Sequence, residues 1–338
     1  MSFKPGFIYT DRHFQTWPSW QIVFEWEDAL SEALSLPLKN SPTQGMAEHK
    51  LRGWDNRSQQ GKWGKAFHSM RFWKTAWESE KREALYFEMA PRKYPAFSNS
   101  QRVAPVLIDV FPDSNLEDTL KYYKRCPRVY FTSLEILHHV KQKIGDGPWF
   151  HLPMSLPDKY RLLPDTSLEK KIPIVLSGRT NEVLLQYLKQ YEQENPGIEY
   201  LQQKHVNGKL YYVSNLAGVV GEFSSRSAYW QLIKSAQVCF YSTPGMDEGA
   251  ARTGGFNPLT PRWFELLAAG CHVIARFPDT PETRHYRMST MAEGINNYEQ
   301  FKLELTRCLS AAPPIERNAQ YLQDFYTSKV IPYLQLKS

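Results

Sequence analysis

Short, almost unbroken apolar runs recur along the chain, separated by amphipathic stretches. The first half carries "GFIY", "ALYFEM", "APVLIDVF", "RVYFTS" and "WFHLPM", and the second "IPIVLSG", "QVCFYST" and "CHVIARF". Runs of four to eight residues without alternation read as strands buried on both faces. Their alternation with helical stretches predicts α/β units built on parallel sheets.

The punctuation between the runs refines this. After the strand "RVYFTS", the pattern Thr132-Ser133-Leu134-Glu135 is a capping box that starts the helix "LEILHHVKQK", which stops near "GDGP". In the second half Asn181 or Thr180 caps a helix with the apolar stripe Val183, Leu184, Tyr187, Leu188 and Tyr191, ended by Asn195-Pro196-Gly197. A chain of 338 residues is too long for one ordinary core, so two domains are expected. The stretch 155–171, with two prolines, many charges and no sustained period, carries the boundary. The predicted organisation is an N-terminal domain over 1–157, a linker over 158–171, a second domain over 172–312, and a C-terminal segment over 313–338. In that last segment "ERNAQYLQDFYTSKVIPYLQL" reads as one amphipathic helix with Tyr321, Leu322, Phe325, Val330 and Tyr333 on its apolar face.

One stretch concentrates chemistry, "LTPRWFELLAAGCHVIARF" at 259–277. Thr260 is suited to an N-cap, Pro261 to the first helical position and Gly270 to the residue past the end. At about 100° per residue, Trp263, Phe264, Leu266, Leu267 and Ala268 cover most of the circumference, leaving a narrow stripe for Arg262, Glu265 and Ala269. A helix so nearly buried still presents unpaired N–H groups and partial positive charge at its start, an arrangement that holds phosphate, and Arg262 lies in that first turn. A carboxylate one turn on, Glu265, can accept two hydrogen bonds from a vicinal diol such as a ribose. Phosphate and ribose together mean a nucleotide. The plainer reading is an Arg262–Glu265 pair at i,i+3 on a solvated stripe. The preceding run, "PGMDEGAARTGGFNP", favours function, because a Gly- and Pro-rich loop of this length inside a compact domain is usually functional.

Composition narrows the classes. Apolar residues at 42% and charged residues at 22% describe an ordinary globular chain with a real core. A net charge of +6, spread over segments that also carry acids, is no nucleic-acid footprint. It is compatible with a phosphate-bearing substrate or with loose peripheral contact to an anionic membrane surface. Cys126, Cys239, Cys271 and Cys308 are far apart with no CxxC spacing, so neither zinc nor a disulfide framework is indicated. The start, "MSFKPGFIYTDRHF", has no apolar signal region, and no run reaches the length of a membrane span, so a cytoplasmic chain, in places against the inner face of the membrane, is expected. Aromatic residues in "HFQTWPSW" and "RGWDNRSQQGKW" could stack on sugars or fill core and rim.

The segments "SAYWQLIKSAQVCFYSTPG" and "LTPRWFELLAAGCHVIARFPDT" resemble the donor-binding region of GT-B glycosyltransferases, bacterial family-1-like or spore-coat-type, with their R-x-F-E-x-L-A-x-G pattern. Arg262, Phe264, Glu265, Leu267, Ala268 and Gly270 fill it here. "VLSGRT" is similar to the strand-Gly-Arg turn that opens the second domain of that family, and "VYFTSLEIL…FHLPMSLPDKY" to its last first-domain strand, helix and crossover. The resemblance runs in pieces over about residues 128 to 280 and does not reach the first 100. It implies two Rossmann-like domains facing each other across a cleft, the acceptor on the first and a nucleotide-sugar donor on the second, with a C-terminal tail bracing the first. It also implies that Glu265 holds the donor ribose and that Gly178 and Arg179 lie at the diphosphate. Two departures stand out. The glutamate that retaining members carry eight positions before the ribose glutamate is Asn257 here, and no basic residue follows the Gly-Arg turn within "TNEVLLQYL". Arg179, Arg252 or Arg262, with Thr260 at the helix start, are left to meet the diphosphate.

An inverting transfer needs a general base at a strand end of the first domain. Asp11 and His13 follow the first strand, Asp109 and Asp113 the run "APVLIDVF", and His13 and Asp109 are the candidates selected. His138-His139 are about 100° apart on a helix, a poor metal pair, and Glu25, Glu27 and Asp28 read more simply as a solvated helix start. No P-loop, GxGxxG, GxSxG or HExxH occurs. The expectation is a metal-independent glycosyltransferase with no cofactor beyond its nucleotide-sugar donor substrate, acting on a glycan or lipid-linked acceptor. The alternatives are a non-catalytic nucleotide-binding member of a polysaccharide assembly and a nucleotide-sugar epimerase of the same fold.

Overall fold

The structure is a computed structural model that describes residues 3–13, 15, 20–41, 82–91, 102–112, 115–206, 209–223 and 225–334. Asp113 and the aromatic-rich segment "RGWDNRSQQGKW" lie outside the described residues. The chain divides into two compact units, one formed by Met1–Pro153 with Thr327–Ser338 and the other by Met154–Tyr326.

The first unit holds β1 (Pro5–Thr10), β2 (Leu38–Asn40), β3 (Glu83–Glu88), β4 (Val103–Leu107), β5 (Val129–Phe131) and β6 (Trp149–His151) in one sheet of order β2-β1-β3-β4-β5-β6. All its pairings are parallel. Helix α1 (Trp20–Leu34) connects β1 to β2 and buries Val23, Phe24, Trp26 and Leu30. Helix α2 (Leu134–Ile144) follows β5 and buries Ile136, Leu137 and Val140. Its N-cap is Ser133, one residue past the predicted Thr132, and Ser133 Oγ accepts from Ile136 N–H. The Thr132 hydroxyl is already committed to the Ile108 carbonyl at 3.1 Å, so it cannot turn to the helix.

The second unit holds β7 (Ile172–Leu176), β8 (Tyr200–Val206), β9 (Lys209–Ser214), β10 (Gly218–Glu222), β11 (Ala236–Ser242) and β12 (His272–Arg276), in the order β10-β9-β8-β7-β11-β12. Strands β8, β7, β11 and β12 run parallel. The hairpin that adds β9 and β10 is antiparallel, an extension absent from the strand runs read in the sequence. Helices α3 (Glu182–Glu194), α4 (Arg226–Ser235), α5 (Pro261–Ala268), α6 (Tyr298–Ser310) and α7 (Ile315–Leu322) complete the unit. Leu184, Leu188 and Tyr191 of α3 and Phe301, Leu305 and Cys308 of α6 pack on Ile174, Leu176, Val238, Phe240 and Ile274 of the sheet. Asn181, not Thr180, caps α3, its Oδ1 accepting from Leu184 N–H at 3.1 Å.

The single C-terminal helix predicted from the sequence is broken. Helix α7 ends at Leu322, Leu156 and Tyr326 form an isolated parallel bridge, and two short helical turns come next at Thr327–Val330 and Ile331–Leu334. From Thr327 the chain belongs to the first unit, where the Leu334 carbonyl accepts from Tyr130 Oη at 2.8 Å and Arg128 Nη1 at 3.1 Å. The four cysteines are free and buried, and no helix among the described residues is long and apolar enough to cross a membrane.

Candidate functional site

In an open α/β sheet, ligands gather outside the carboxyl ends of the strands where the winding direction reverses. In the second unit that point lies between β7 and β11, because β8 is added on one side of β7 and β11 on the other. The segments leaving the ends of these two strands therefore form the site: the Gly178-Arg179 turn after β7, and the loop 243–260 with α5 after β11.

Gly178 has φ +70°, in the left-handed region, and its N–H donates to Gln203 Oε1 of β8 at 2.8 Å. A Cβ there would meet Arg262 Cζ at 2.9 Å, so the glycine leaves room for the Arg262 guanidinium to approach the turn. Arg262 Nη1 donates to the Arg179 carbonyl at 2.9 Å. The Arg179 side chain is exposed. Three predicted residues from segments over 80 positions apart thus meet.

The loop after β11 is folded on itself. Asp247, in the left-handed region at φ 49°, receives Arg276 Nε and Nη2 at 2.6 and 2.8 Å and Asn181 Nδ2 at 2.8 Å. The Arg276 bonds hold the Asp247 carboxyl below its ordinary pKa. Asn257, eight positions before Glu265, is buried; its Oδ1 accepts from Thr243 Oγ1 at 2.7 Å and its Nδ2 donates to the Gly255 carbonyl at 2.8 Å. Arg252 is exposed on the helical turn Ala250–Thr253.

The loop delivers the chain to the start of α5. Thr260 stands at the N-cap but makes no side-chain cap bond, contrary to the capping role read in the sequence. Its N–H and its hydroxyl both donate to Tyr241 Oη, at 3.1 and 3.3 Å. Pro261 brings no N–H of its own, and with the Thr260 hydroxyl turned to Tyr241 the N-cap side chain does not close the positive end of the helix. Trp263, Phe264, Leu266, Leu267 and Ala268 are buried, as their spacing requires.

Glu265 is buried too, and it does not pair with Arg262. Its Oε1 accepts from Arg226 Nη2 at 2.7 Å and its Oε2 from Tyr229 Oη at 2.9 Å. The Arg226 guanidinium lies 5.1 Å from the Tyr229 ring centroid and 5.9 Å from that of Trp230. Burial raises the Tyr229 hydroxyl well above its ordinary pKa, the Glu265 charge adds to this, and Arg262 and Arg226 oppose it. Arg226 and Tyr229 were missed in the sequence. The available signal was Ser225 as cap of a helix whose first and fourth residues share one face.

In the first unit, His13 and Asp109 are both exposed, just past the ends of β1 and β4 with β3 between those strands. Asp109 N–H donates to the Met89 carbonyl at 2.6 Å. Asp11 is buried, accepting from Ser41 Oγ at 2.6 Å and Tyr86 Oη at 2.9 Å. Glu27, read from the sequence as part of a solvated helix start, is instead buried on α1 and accepts from Thr10 Oγ1 at 2.6 Å. Burial pushes its carboxyl up to about 8, against the lowering effect of Thr10 and Arg12 and with a further rise from Asp11.

No family model matches the chain, and no curated protein does. Among solved structures it is similar to the pneumococcal O-GlcNAc transferase GtfA in complex with UDP and GlcNAc, at 10% identity over 79% of this chain and 58% of that one, with a TM-score of 0.48. It is similar to a TarM mutant of S. aureus in complex with fondaparinux, α-GlcNAc-glycerol and UDP, at 8% identity over 75% of this chain and 54% of that one, with a TM-score of 0.49. A third is S. aureus MnaA with UDP, at 8% identity over 89% and 82% of the two chains and a TM-score of 0.43. The chain spans little more than half the length of the first two. Its own topology, two six-stranded and mostly parallel sheets with helical connections, is that of two Rossmann-like α/β units along one chain.

Proposed function

We propose that the second unit binds a nucleoside-diphosphate sugar and that the protein transfers the sugar to a glycan or lipid-linked acceptor without a metal. The observation that carries this reading is the knot at the switch point: Arg262 laid over Gly178 beside the uncapped start of α5. The diphosphate sits at that start, held by the Arg262 and Arg179 guanidiniums, with Arg252 and Thr260 at its rim. Glu265 takes the ribose. As the glycosidic bond breaks, charge grows on the departing diphosphate, and fixed guanidiniums and a helix dipole stabilise it without reorganising. His13 or Asp109 of the first unit accepts the acceptor hydroxyl proton.

The test is calorimetric titration with UDP, followed by transfer assays over a panel of sugar nucleotides in the presence of a chelator. Glu265→Gln lowers UDP affinity by about tenfold or more, the size of one charge-assisted hydrogen bond. Unchanged affinity removes Glu265 from the site. One observation favours a second reading, a non-catalytic nucleotide-binding chain: Asn257 occupies the retaining-glutamate position and both ends of its amide are spent on the loop. UDP binding without turnover of any donor would select it.

A further inference from the structure

A threonine ahead of a helix ordinarily turns its hydroxyl onto the N–H of the second or third helical residue. Thr260 has the backbone for this, φ −108° and ψ 154°, and still makes no such bond. The reason lies on β11. Tyr241 Oη accepts the Thr260 N–H at 3.1 Å and the Thr260 hydroxyl at 3.3 Å, so one phenol takes both groups that a capping box would engage within the helix. Tyr241 is a fixed post. It is 1% exposed, it pairs with Ala275 of β12, and its ring packs edge-on against the buried Trp263 ring at 5.2 Å. The chain one residue before Thr260 is tied as well, the Leu259 N–H donating to Glu282 Oε1 at 3.2 Å. Two donors are left over at this helix start. The Arg262 N–H, second in α5, has no acceptor among the described residues. With the Thr260 hydroxyl engaged on Tyr241, the hydrogen of the buried Tyr241 hydroxyl has none there either. Donors left without acceptors cost free energy, and together with the Arg262 guanidinium at Gly178 they fit an anion.

We propose that Tyr241 is a positioning residue of the donor site: by engaging the Thr260 hydroxyl it stops α5 from capping itself and reserves the helix amides for a phosphate. This rests on the reading of that helix start as the diphosphate site. Two kinds of oxygen compete for the same N–H groups. The hydroxyl of the helix's own N-cap is tethered and always present, whereas a phosphate arrives from solution, so a self-capped helix must be uncapped before an anion can use its amides. Pro261 supplies no N–H, so the first amide on offer is that of Arg262, whose guanidinium turns back to the Arg179 carbonyl at 2.9 Å. Tyr241 brings no charge to this place and acts only through Thr260. The device suits ligands that carry phosphate. A nucleoside has a diol and a base but no oxyanion to set on an amide, so it gains nothing from an open helix start.

The experiment is calorimetric titration of the full chain with UDP, pyrophosphate and uridine, for the wild type, Tyr241→Phe, Thr260→Val and the double variant. Phenylalanine removes the hydroxyl and keeps the ring against Trp263. The released Thr260 hydroxyl then caps α5, and the affinities for UDP and pyrophosphate fall about fivefold, the fold-change equivalent to one N-cap bond, while uridine affinity holds. Adding Thr260→Val to Tyr241→Phe removes the competing hydroxyl and recovers UDP affinity, although the same valine gives no gain in the wild-type background. A merely structural role for Tyr241 would move all three ligands together and would not be relieved by the second substitution. Unchanged UDP affinity in Tyr241→Phe, or no recovery in the double variant, overturns the proposal. A ligand-free structure of Tyr241→Phe decides by geometry: Thr260 Oγ1 on the Arg262 or Trp263 N–H supports it, and Oγ1 away from both overturns it. Should that variant fail to fold, the wild type with UDP is decisive. A phosphate oxygen on the Arg262 N–H with Thr260 Oγ1 still at Tyr241 supports the proposal, and Thr260 capping α5 in that complex overturns it. The diphosphate reading fails separately when neither UDP nor pyrophosphate binds the wild type, and it takes this inference with it.

Discussion

Two residues show how local chemistry sets behaviour at the smallest scale. Gly178 lies at a positive φ under the Arg262 guanidinium. Gly178→Ala incurs about 1–2 kcal/mol of left-handed strain and pushes Arg262 off the turn, so a modest fall in melting temperature should accompany a disproportionate loss of UDP affinity. Equal affinity in the variant would mean the guanidinium is not a ligand. Glu27 is the other case. Its folded pKa of about 8 stands above the ordinary 4.5. Between those values the folded protein holds a proton that the unfolded chain has lost, so stability is fully present below the lower value and falls as pH rises through the window. One proton corresponds to about 1.4 kcal/mol per pH unit. Glu27→Gln removes the titration while keeping an acceptor for Thr10. Its denaturant midpoint should match the wild type near pH 5 and exceed it near pH 8, and parallel pH profiles would refute the assignment.

Among the elements, the loop between β11 and α5 is held by its ends. Asp247 ties it to Arg276 of β12 and to Asn181, the cap of α3. Asn tolerates the same left-handed backbone, so Asp247→Asn removes only the charge from the clamp. Hydrogen exchange over 244–257 should accelerate while the melting temperature moves little, and a uniform rise across the unit would instead mean that Asp247 supports the whole core. The elements also show what the chain made legible. Buried strands were readable because runs such as "IPIVLSG" and "QVCFYST" are apolar on both faces, and the α5 boundaries because Pro261 and Gly270 have few other uses. The hairpin β9–β10 was not, because every residue of β10 is exposed and its composition carries no burial pattern. The capping role of Thr260 failed because Tyr241, nineteen positions earlier, claims its hydroxyl, a partner that no local pattern reveals. The same holds for Arg226, whose partner Glu265 is thirty-nine residues away.

At the scale of the whole molecule, each unit is a six-stranded sheet with its own core, and the first contains both ends of the chain. Val330 and Leu334 are buried in it, at 4% and 0% exposure. Ending the chain after Tyr326 removes both side chains, each contributing about 1.5–3 kcal/mol by burial, and strips Tyr130 and Arg128 of the carbonyl they share. Calorimetry of this truncation should show the first unit melting earlier while the second keeps its transition, with faster amide exchange in β5 as the local signature. A shift in the second transition alone would place the segment with the other unit.

The return of residues 327–334 to the first unit also fixes an order of events during synthesis. The ribosome makes the N-terminal sheet first, yet the peptide that completes it emerges only after every strand of the second unit has left the exit tunnel. The earlier-made half is therefore the later to be finished. Until then it waits with the seat for Val330 and Leu334 unfilled, and a message that stops after Tyr326 yields a second unit with all its strands and a first one left without its last packing.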